Sequence, residues 1–165
     1  MKKIKKGDIY SIPISDEIIG LCQVIEIKKD SFFIIVFEDI ISEKNVSYQI
    51  ENVLKSSILF FGETTDARIY HNIWKLIDNK KPIIDESYIP LYKVKTLTGT
   101  LLVDYKGNKI KKISKEESVN FNFESSYSPI RFENALKAFH KITDWVEEYN
   151  KILYNRDGAD MSNGC

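Results

Sequence analysis

The stretch that most constrains the fold is residues 32–37, Phe-Phe-Ile-Ile-Val-Phe, an unbroken apolar run. Both alternating sets of side chains are apolar, which is typical of a strand buried on its two faces. Other elements must cover both faces, so we expect this strand near the centre of a sheet. Residues 8–14 and 21–27 predict two strands before it. Pro13 suits a strand end, and residues 28–30 predict a tight hairpin connection.

A second strong signal is the helical pattern of residues 129–153. Ser128 can cap such a helix, and Pro129 suits its first position, where the missing N–H is not needed. Apolar residues recur every three or four positions through the segment. They are Phe132, Ala135, Leu136, Phe139, Ile142, Trp145, Val146, Tyr149, Ile152 and Leu153. We therefore predict one long helix that lies across the sheet.

Weaker signals fill the middle of the chain. Gly107 and Asn108 accept positive φ angles and predict a hairpin between residues 100–105 and 109–113, with Tyr105 at its tip. The other predictions are a polar connection at 38–45, a loop or short strand at 46–54, a strand at 58–61 ending at Gly62, a helical turn at 66–70, a strand at 73–77, an exposed loop at 85–90 and a disordered tail at 155–165.

Together these signals predict an α+β fold. We expect a bent, largely antiparallel, barrel-like sheet with a long C-terminal helix packed on it. A chain of 165 residues fits one domain, and we expect residues 1–154 to form it.

Charge and hydropathy argue against several classes of protein. The chain has 24 basic and 24 acidic residues, so its net charge favours neither nucleic acid nor an anionic membrane as a partner. No apolar run reaches the length of about 18 residues that a membrane-spanning helix needs. We therefore expect a cytoplasmic protein with no membrane partner. Cys22 lies in a predicted strand as a buried apolar residue, and we expect no disulfide with Cys165.

Few residues point to catalysis. The histidines are His71, which suits an exposed loop, and His140, which lies one helical turn before Asp144 and predicts a local hydrogen bond. A thiol inside an apolar strand lacks the positive, exposed surroundings of a nucleophile. The sequence has no glycine-rich phosphate loop, no Cys-x-x-Cys pair and no His-x-x-x-His pair. We expect no enzymatic activity, no metal and no cofactor.

The first third of the chain resembles a known family. Residues 6–14, Lys-Gly-Asp-Ile-Tyr-Ser-Ile-Pro-Ile, followed by Gly20, Gln23 and Val24, are similar to the immunity protein 26 family of bacterial polymorphic-toxin and contact-dependent inhibition systems. The similarity continues through residues 58–61, Asp66-Ala67, residues 74–77 and Pro82. The resemblance implies a protein without catalysis that binds and neutralises a toxin domain.

An inhibitor of a nuclease toxin can fill a basic cleft with carboxylates, which form charge-assisted hydrogen bonds and speed association. Loop acids beside aromatic residues suit this role best. We therefore predict two toxin-binding groups, Glu38 with Asp39, and Asp85 with Glu86 and Tyr88. The expected partner is the C-terminal domain of a cognate toxin, bound as a heterodimer.

Two alternatives remain open from the residues. The first is a nucleic-acid-binding β-barrel module, in which exposed aromatic rings stack on bases and lysines at the hairpin contact phosphates. Those lysines are Lys106, Lys109, Lys111 and Lys112, although the zero net charge counts against this function. The second is a hydrolase that uses His71, for which no supporting spacing exists.

Overall fold

The computed structural model describes residues 3–154, and these divide into two compact units. The larger unit contains residues 3–83 and 126–153, and the smaller contains residues 84–125 and Tyr154. That residues 1–154 form one domain stays a prediction. The predicted tail at 155–165, with Cys165, lies outside the described residues.

Nine strands and four α-helices cover most of the described chain. The strands are β1 (Asp8–Pro13), β2 (Ile18–Ile27), β3 (Phe32–Ser42), β4 (Ile58–Thr64), β5 (Leu76–Asn79), β6 (Tyr92–Thr96), β7 (Gly99–Val103), β8 (Lys109–Ile113) and β9 (Ser126–Tyr127). The helices are α1 (Val46–Leu54), α2 (Ala67–Tyr70), α3 (Lys115–Ser118) and α4 (Pro129–Phe139), and short 3₁₀ segments cover Glu43–Asn45, Glu86–Tyr88 and Glu147–Ile152.

The larger unit is built on a six-stranded sheet with the order β5-β1-β2-β3-β4-β9. Its neighbouring strands are antiparallel except β4 and β9, which are parallel. This confirms the α+β class and the largely antiparallel pairing. The predicted barrel-like closure is wrong, because β5 and β9 lie at opposite edges of an open sheet. These edge strands have only 4 and 2 residues, too few to pair along the long central strands.

The prediction for the central strand is confirmed. Every residue of the run 32–37 is buried. Phe32, Ile34 and Val36 belong to the core cluster that also contains Phe132 and Leu136 of α4. On the other face, Phe33 stacks on Phe61 with 5.5 Å between ring centroids, and α1 packs against β3. The strand is therefore covered on both sides, as its sequence requires.

Two predictions in the segment after this strand are wrong. β3 continues to Ser42 instead of giving way to a polar connection at 38, because Ile40 and Ile41 resume the pairing with β2. Residues 46–54 form α1 instead of a loop or strand. Its buried side chains Ile50, Val53 and Leu54 have the spacing of one helical face, which the β-branched residues around them obscured.

The strands β4 and β5 differ from their predicted bounds for local reasons. β4 continues through Gly62, where the absence of a side chain lets the ring of Phe132 approach; a Cβ there would lie 2.9 Å from the ring. The predicted helical turn at 66–70 is present as α2. It ends at Tyr70. Asn72 follows with a φ of 55°, and the Ile73 N–H donates to the Arg68 carbonyl at 2.8 Å, so β5 begins only at Leu76.

The predicted long helix is wrong beyond Phe139. The Ile142 N–H donates to the Lys137 carbonyl at 2.9 Å and the Lys141 N–H donates to the Ala138 carbonyl at 3.0 Å, with Lys141 at a φ of 61°. This is a Schellman ending in which lysine takes the usual glycine position. Pro129 occupies the first turn as predicted, but the Ser128 side chain makes no capping hydrogen bond. The residues after Lys141 include Thr143 and Asp144, which favour caps and turns over helix interiors.

Replacing Lys141 with glycine is expected to raise the free energy of unfolding by roughly 0.5–1 kcal/mol. Relief of the left-handed conformation is worth about 1–2 kcal/mol and exceeds the extra backbone entropy that glycine loses. Urea denaturation measures the change. Lys141→Ala is the matched control, because it removes the same side chain and keeps the strained backbone. A glycine variant less stable than the alanine variant would contradict this account of the helix end.

The smaller unit contains the antiparallel sheet β6-β7-β8. The β7–β8 hairpin confirms the predicted one, although its connection is longer than a two-residue turn. The Asp104 carboxylate accepts the N–H groups of Lys106 and Asn108 at 3.0 and 2.7 Å, and Gly107 has a φ of 85°. Tyr105, predicted at the tip, lies in this connection and is buried.

Candidate functional site

Glu38 and Asp39 lie in a bulge of β3. Ile40 pairs with Gly20 and Val36 pairs with Cys22, so Leu21 alone lies opposite residues 37–39. Such bulges re-aim side chains and interrupt pairing. Here Glu38 is half-buried and Asp39 is exposed. The two predicted acidic residues therefore lie next to each other at a β-bulge, where the regular pairing of β3 is interrupted.

The backbone around the bulge is tied to its neighbours. The Glu38 N–H donates to the Ser57 carbonyl at 2.9 Å, and the Asp39 N–H donates to Ser56 Oγ at 3.4 Å. The Glu38 carbonyl lies 2.7 Å from His140 Nε2. Within residues 3–154 neither carboxylate belongs to an ion pair, so both charges remain available to a partner.

The second predicted group lies in the smaller unit, on the segment Glu86–Tyr88 and the residue before it. The Asp85 carboxylate accepts the Ser87 N–H at 2.8 Å and the Ser87 hydroxyl at 2.7 Å, and these bonds hold the pKa of Asp85 below its usual value. Glu86 Oε1 accepts the Tyr105 hydroxyl at 3.1 Å and Lys106 Nζ at 3.0 Å. Both carboxylates are exposed, but each already has an internal partner.

The five predicted contact residues thus form two groups, one in each unit. The members of each group lie within one short segment of the chain, residues 38–39 in one case and residues 85–88 in the other. The groups differ in electrostatics, because the carboxylates of Asp85 and Glu86 accept hydrogen bonds from other side chains, whereas those of Glu38 and Asp39 accept none from the described residues. Of the two groups, the β3 bulge is therefore the better suited to an external cation.

The segment after α4 carries apolar surface that the sequence analysis missed. Ile142, Trp145 and Val146 were predicted on the buried face of a helix, yet they are 53%, 38% and 45% exposed. Trp145 stacks on Phe60 with ring centroids 6.3 Å apart, and its Nε1–H donates to Asn150 Oδ1 at 3.1 Å. The polar Thr143-Asp144 pair inside this run is the sequence feature that could have indicated a helix end.

The titratable candidates for catalysis have ordinary structural places. His71 is exposed at the end of α2 and contacts the ring of Tyr70. The predicted one-turn relation of His140 to Asp144 is wrong, because α4 ends before them and His140 contacts Glu38 instead. Cys22 is confirmed as a buried, free thiol, and burial raises its pKa to about 12. The thiol therefore stays protonated at neutral pH.

The larger unit also contains a half-open groove of about 860 Å³. Its lining includes the buried aromatic side chains Tyr10, Phe32 and Trp74. Burial, assisted by the neighbouring Asp8, raises the pKa of Tyr10. Two lysines of the lining are paired, Lys28 with Glu63 at 2.8 Å and Lys75 with Glu43 at 3.3 Å. No metal-binding group of three or more His, Cys, Asp or Glu side chains occurs among residues 3–154.

The lysines named for nucleic-acid binding are partly neutralised. Lys106 pairs with Glu86 at 3.0 Å, and Lys111 pairs with Glu117 at 3.3 Å. Lys106 lies in the β7–β8 connection and the other three lie in β8 of a three-stranded sheet, whereas the alternative function assumed a barrel. Nothing in this geometry favours that alternative over a protein-binding function.

Comparison with protein families identifies the chain. The family model for immunity protein 26 matches residues 5–99. The chain belongs to the immunity protein 26 family. This confirms the resemblance seen in the first third and extends it as far as the start of β7. Comparison with curated proteins and with solved structures gave no match.

Membership of the immunity protein 26 family carries a general function, the neutralisation of a toxin by binding it. Immunity proteins are in general inhibitors without enzymatic activity. All five predicted contact residues lie inside the matched region, whereas the apolar segment 140–146 lies beyond it. Among residues 3–154 of this immunity protein, every helix falls short of the length and apolar composition that a membrane-spanning helix needs.

Proposed function

We propose that this immunity protein binds the C-terminal domain of one cognate toxin, a nuclease of a contact-dependent inhibition or related system, in the cytoplasm. The bound protein occludes the nuclease cleft and performs no chemistry itself. The observation that carries this proposal is the family match over residues 5–99. The unpaired carboxylates of the β3 bulge support the nuclease as the target.

The charge of a nuclease cleft favours carboxylates as its contacts. A cleft that grips phosphate is basic, and carboxylates that enter it form strong charge-assisted hydrogen bonds. Asp39 is exposed and Glu38 is half-buried, both on a backbone that is held by the connection between α1 and β4 and by His140. Such a fixed arrangement lowers the entropy lost on binding. Asp85, Glu86 and Tyr88 form the second proposed contact group.

Co-expression with the toxin domain encoded beside this gene tests the function. Cells that make the toxin domain alone should stop growing, and cells that also make this protein should grow. The two purified chains should elute together from a sizing column. A toxin domain from an unrelated system is the control and should form no complex. Continued growth arrest together with separate elution of the cognate pair would contradict the proposal.

Charge reversal separates the two proposed contact groups. Asp39→Lys is expected to slow association with the toxin domain on the order of 10-fold at low salt, and less at high salt, because salt screens electrostatic steering. Glu86→Lys should have a smaller effect, since Lys106 already pairs with Glu86. Stopped-flow measurement at two salt concentrations records these rates. Asp16→Lys, an exposed loop residue, is the control, and an association rate of Asp39→Lys equal to that of this control would remove the bulge from the interface.

A further inference from the structure

We propose that the β3 bulge and the segment after α4 form one toxin-binding surface, which recognises a basic face of the toxin domain. We call it the acidic–apolar surface and define it by Glu38, Asp39, Ile142, Asp144, Trp145 and Val146. The proposal rests on the proposed function and names the part of this protein that carries most of the binding.

Two contacts join the segments into one surface. His140 Nε2 lies 2.7 Å from the Glu38 carbonyl, although the two residues are 102 positions apart in the chain. Further on, Trp145 stacks on Phe60 of β4, and Phe60 pairs with Val36 of β3. Val36 precedes Glu38 by two residues, which is about 7 Å along a strand. Residues 140–145 are therefore held at both ends close to the bulge.

The surface exposes a group of apolar side chains, and such exposure does not stabilise a monomeric protein. Ile142, Trp145 and Val146 occur within five residues and are all more than a third exposed. Trp145 is held by Phe60, by an edge contact with Tyr149 at 5.4 Å between ring centroids, and by its bond to Asn150. A fixed tryptophan at the centre of a patch is typical of a binding hot spot, because little rotamer entropy remains to be lost.

The charges on the surface select its partner. Glu38, Asp39 and Asp144 have no ion pair within the described residues, and the same two segments contain one lysine, Lys141. The surface is thus negative around an apolar centre. A second copy of this chain would place the same negative patch against itself in a symmetric dimer, which like-charge repulsion disfavours. A basic protein face, such as the rim of a nuclease cleft, is complementary.

Calorimetric titration of each variant with the purified toxin domain tests the surface. Trp145→Ala is expected to raise Kd on the order of 30-fold or more, as for a tryptophan hot spot. Because Trp145 also packs on Phe60, Ile142→Ser serves as a second variant, and its Kd should rise by roughly 5-fold. Tyr48→Ala removes an aromatic side chain that is 85% exposed on α1 and should leave Kd unchanged.

The outcomes distinguish failure of the surface from failure of the function. Wild-type protein that does not bind the toxin domain overturns the proposed function. Wild-type binding with unchanged Kd for folded Trp145→Ala and Ile142→Ser overturns the surface alone. Light scattering tests whether a second copy of this chain binds the surface instead of the toxin domain. A wild-type dimer that both variants convert to monomers, with toxin affinity retained, would assign the surface to a second copy and overturn the proposal.

Discussion

Replacing Glu133 with alanine is expected to lower the free energy of unfolding by about 3–5 kcal/mol, because it leaves a partly buried cation without its partner. Glu133 is buried on α4. Its Oε1 accepts Arg68 Nη2 at 3.1 Å and Lys137 Nζ at 3.2 Å, and its Oε2 accepts the Trp74 Nε1–H at 3.4 Å. One carboxylate thus joins α2, α4 and the segment that contains Trp74.

The arrangement around Arg68 makes this loss severe. The Nε of Arg68 is buried and has no hydrogen-bond partner within the described residues. The ion pair between Nη2 and Glu133 therefore offsets the free energy that burial of the guanidinium costs. Urea denaturation of Glu133→Ala measures the effect. Glu147→Ala removes an exposed glutamate of the same unit and should change stability by less than about 0.5 kcal/mol. Equal stability of the two variants would contradict the assignment of Glu133 as a structural link.

Replacing Phe132 with alanine is expected to destabilise the protein by about 3–5 kcal/mol, because the truncation removes apolar contacts and leaves a cavity. Phe132 is fully buried, and its ring lies where β4 has Gly62. Thermal or urea unfolding measures the loss. Ile130→Ala, on the exposed side of the same helix, is the matched control and should cost less than about 1 kcal/mol. A loss at Phe132 no larger than at Ile130 would mean that α4 does not form the core with β4.

The central strand β3 and the β7–β8 hairpin of the smaller unit could be predicted from the sequence because their signals are local. The run 32–37 is apolar on both alternating sets, and the β7–β8 hairpin has Gly107 in its connection. The extension of β3 could not be predicted from the polarity of Glu38 and Asp39, because the strand bulges at these residues and then resumes with Ile40. A polar pair thus appeared to end a strand that it only interrupts.

The length of α4 could not be predicted from periodicity alone. Apolar residues continue at helical spacing to Leu153, but the helix ends where Lys141 adopts a left-handed conformation without a glycine to mark it. The later apolar residues divide instead between the core, where Ile152 is buried, and the exposed acidic–apolar surface. Spacing describes one face of a helix and does not indicate whether that helix continues.

The acidic residues proposed as toxin contacts were selected from the sequence, but the sequence does not indicate which of them have internal partners. The Glu86 carboxylate pairs with Lys106, which is twenty positions further along the chain. By contrast, His140 contacts the backbone carbonyl of Glu38 and not its carboxylate. These partners depend on the fold. The proposed surface therefore combines residues that the sequence indicated with the exposed segment 142–146, which only the structure reveals.

A titration of the toxin domain's proposed nuclease activity with this protein shows directly whether the protein inhibits by binding. Cleavage of a nucleic-acid substrate should fall in proportion to added protein and cease at one molecule per toxin domain. Trp145→Ala protein should require a clear excess to reach the same inhibition, and this protein alone should cleave nothing. Full activity of the toxin domain in the presence of a large excess of folded wild-type protein would show that this protein is not its inhibitor.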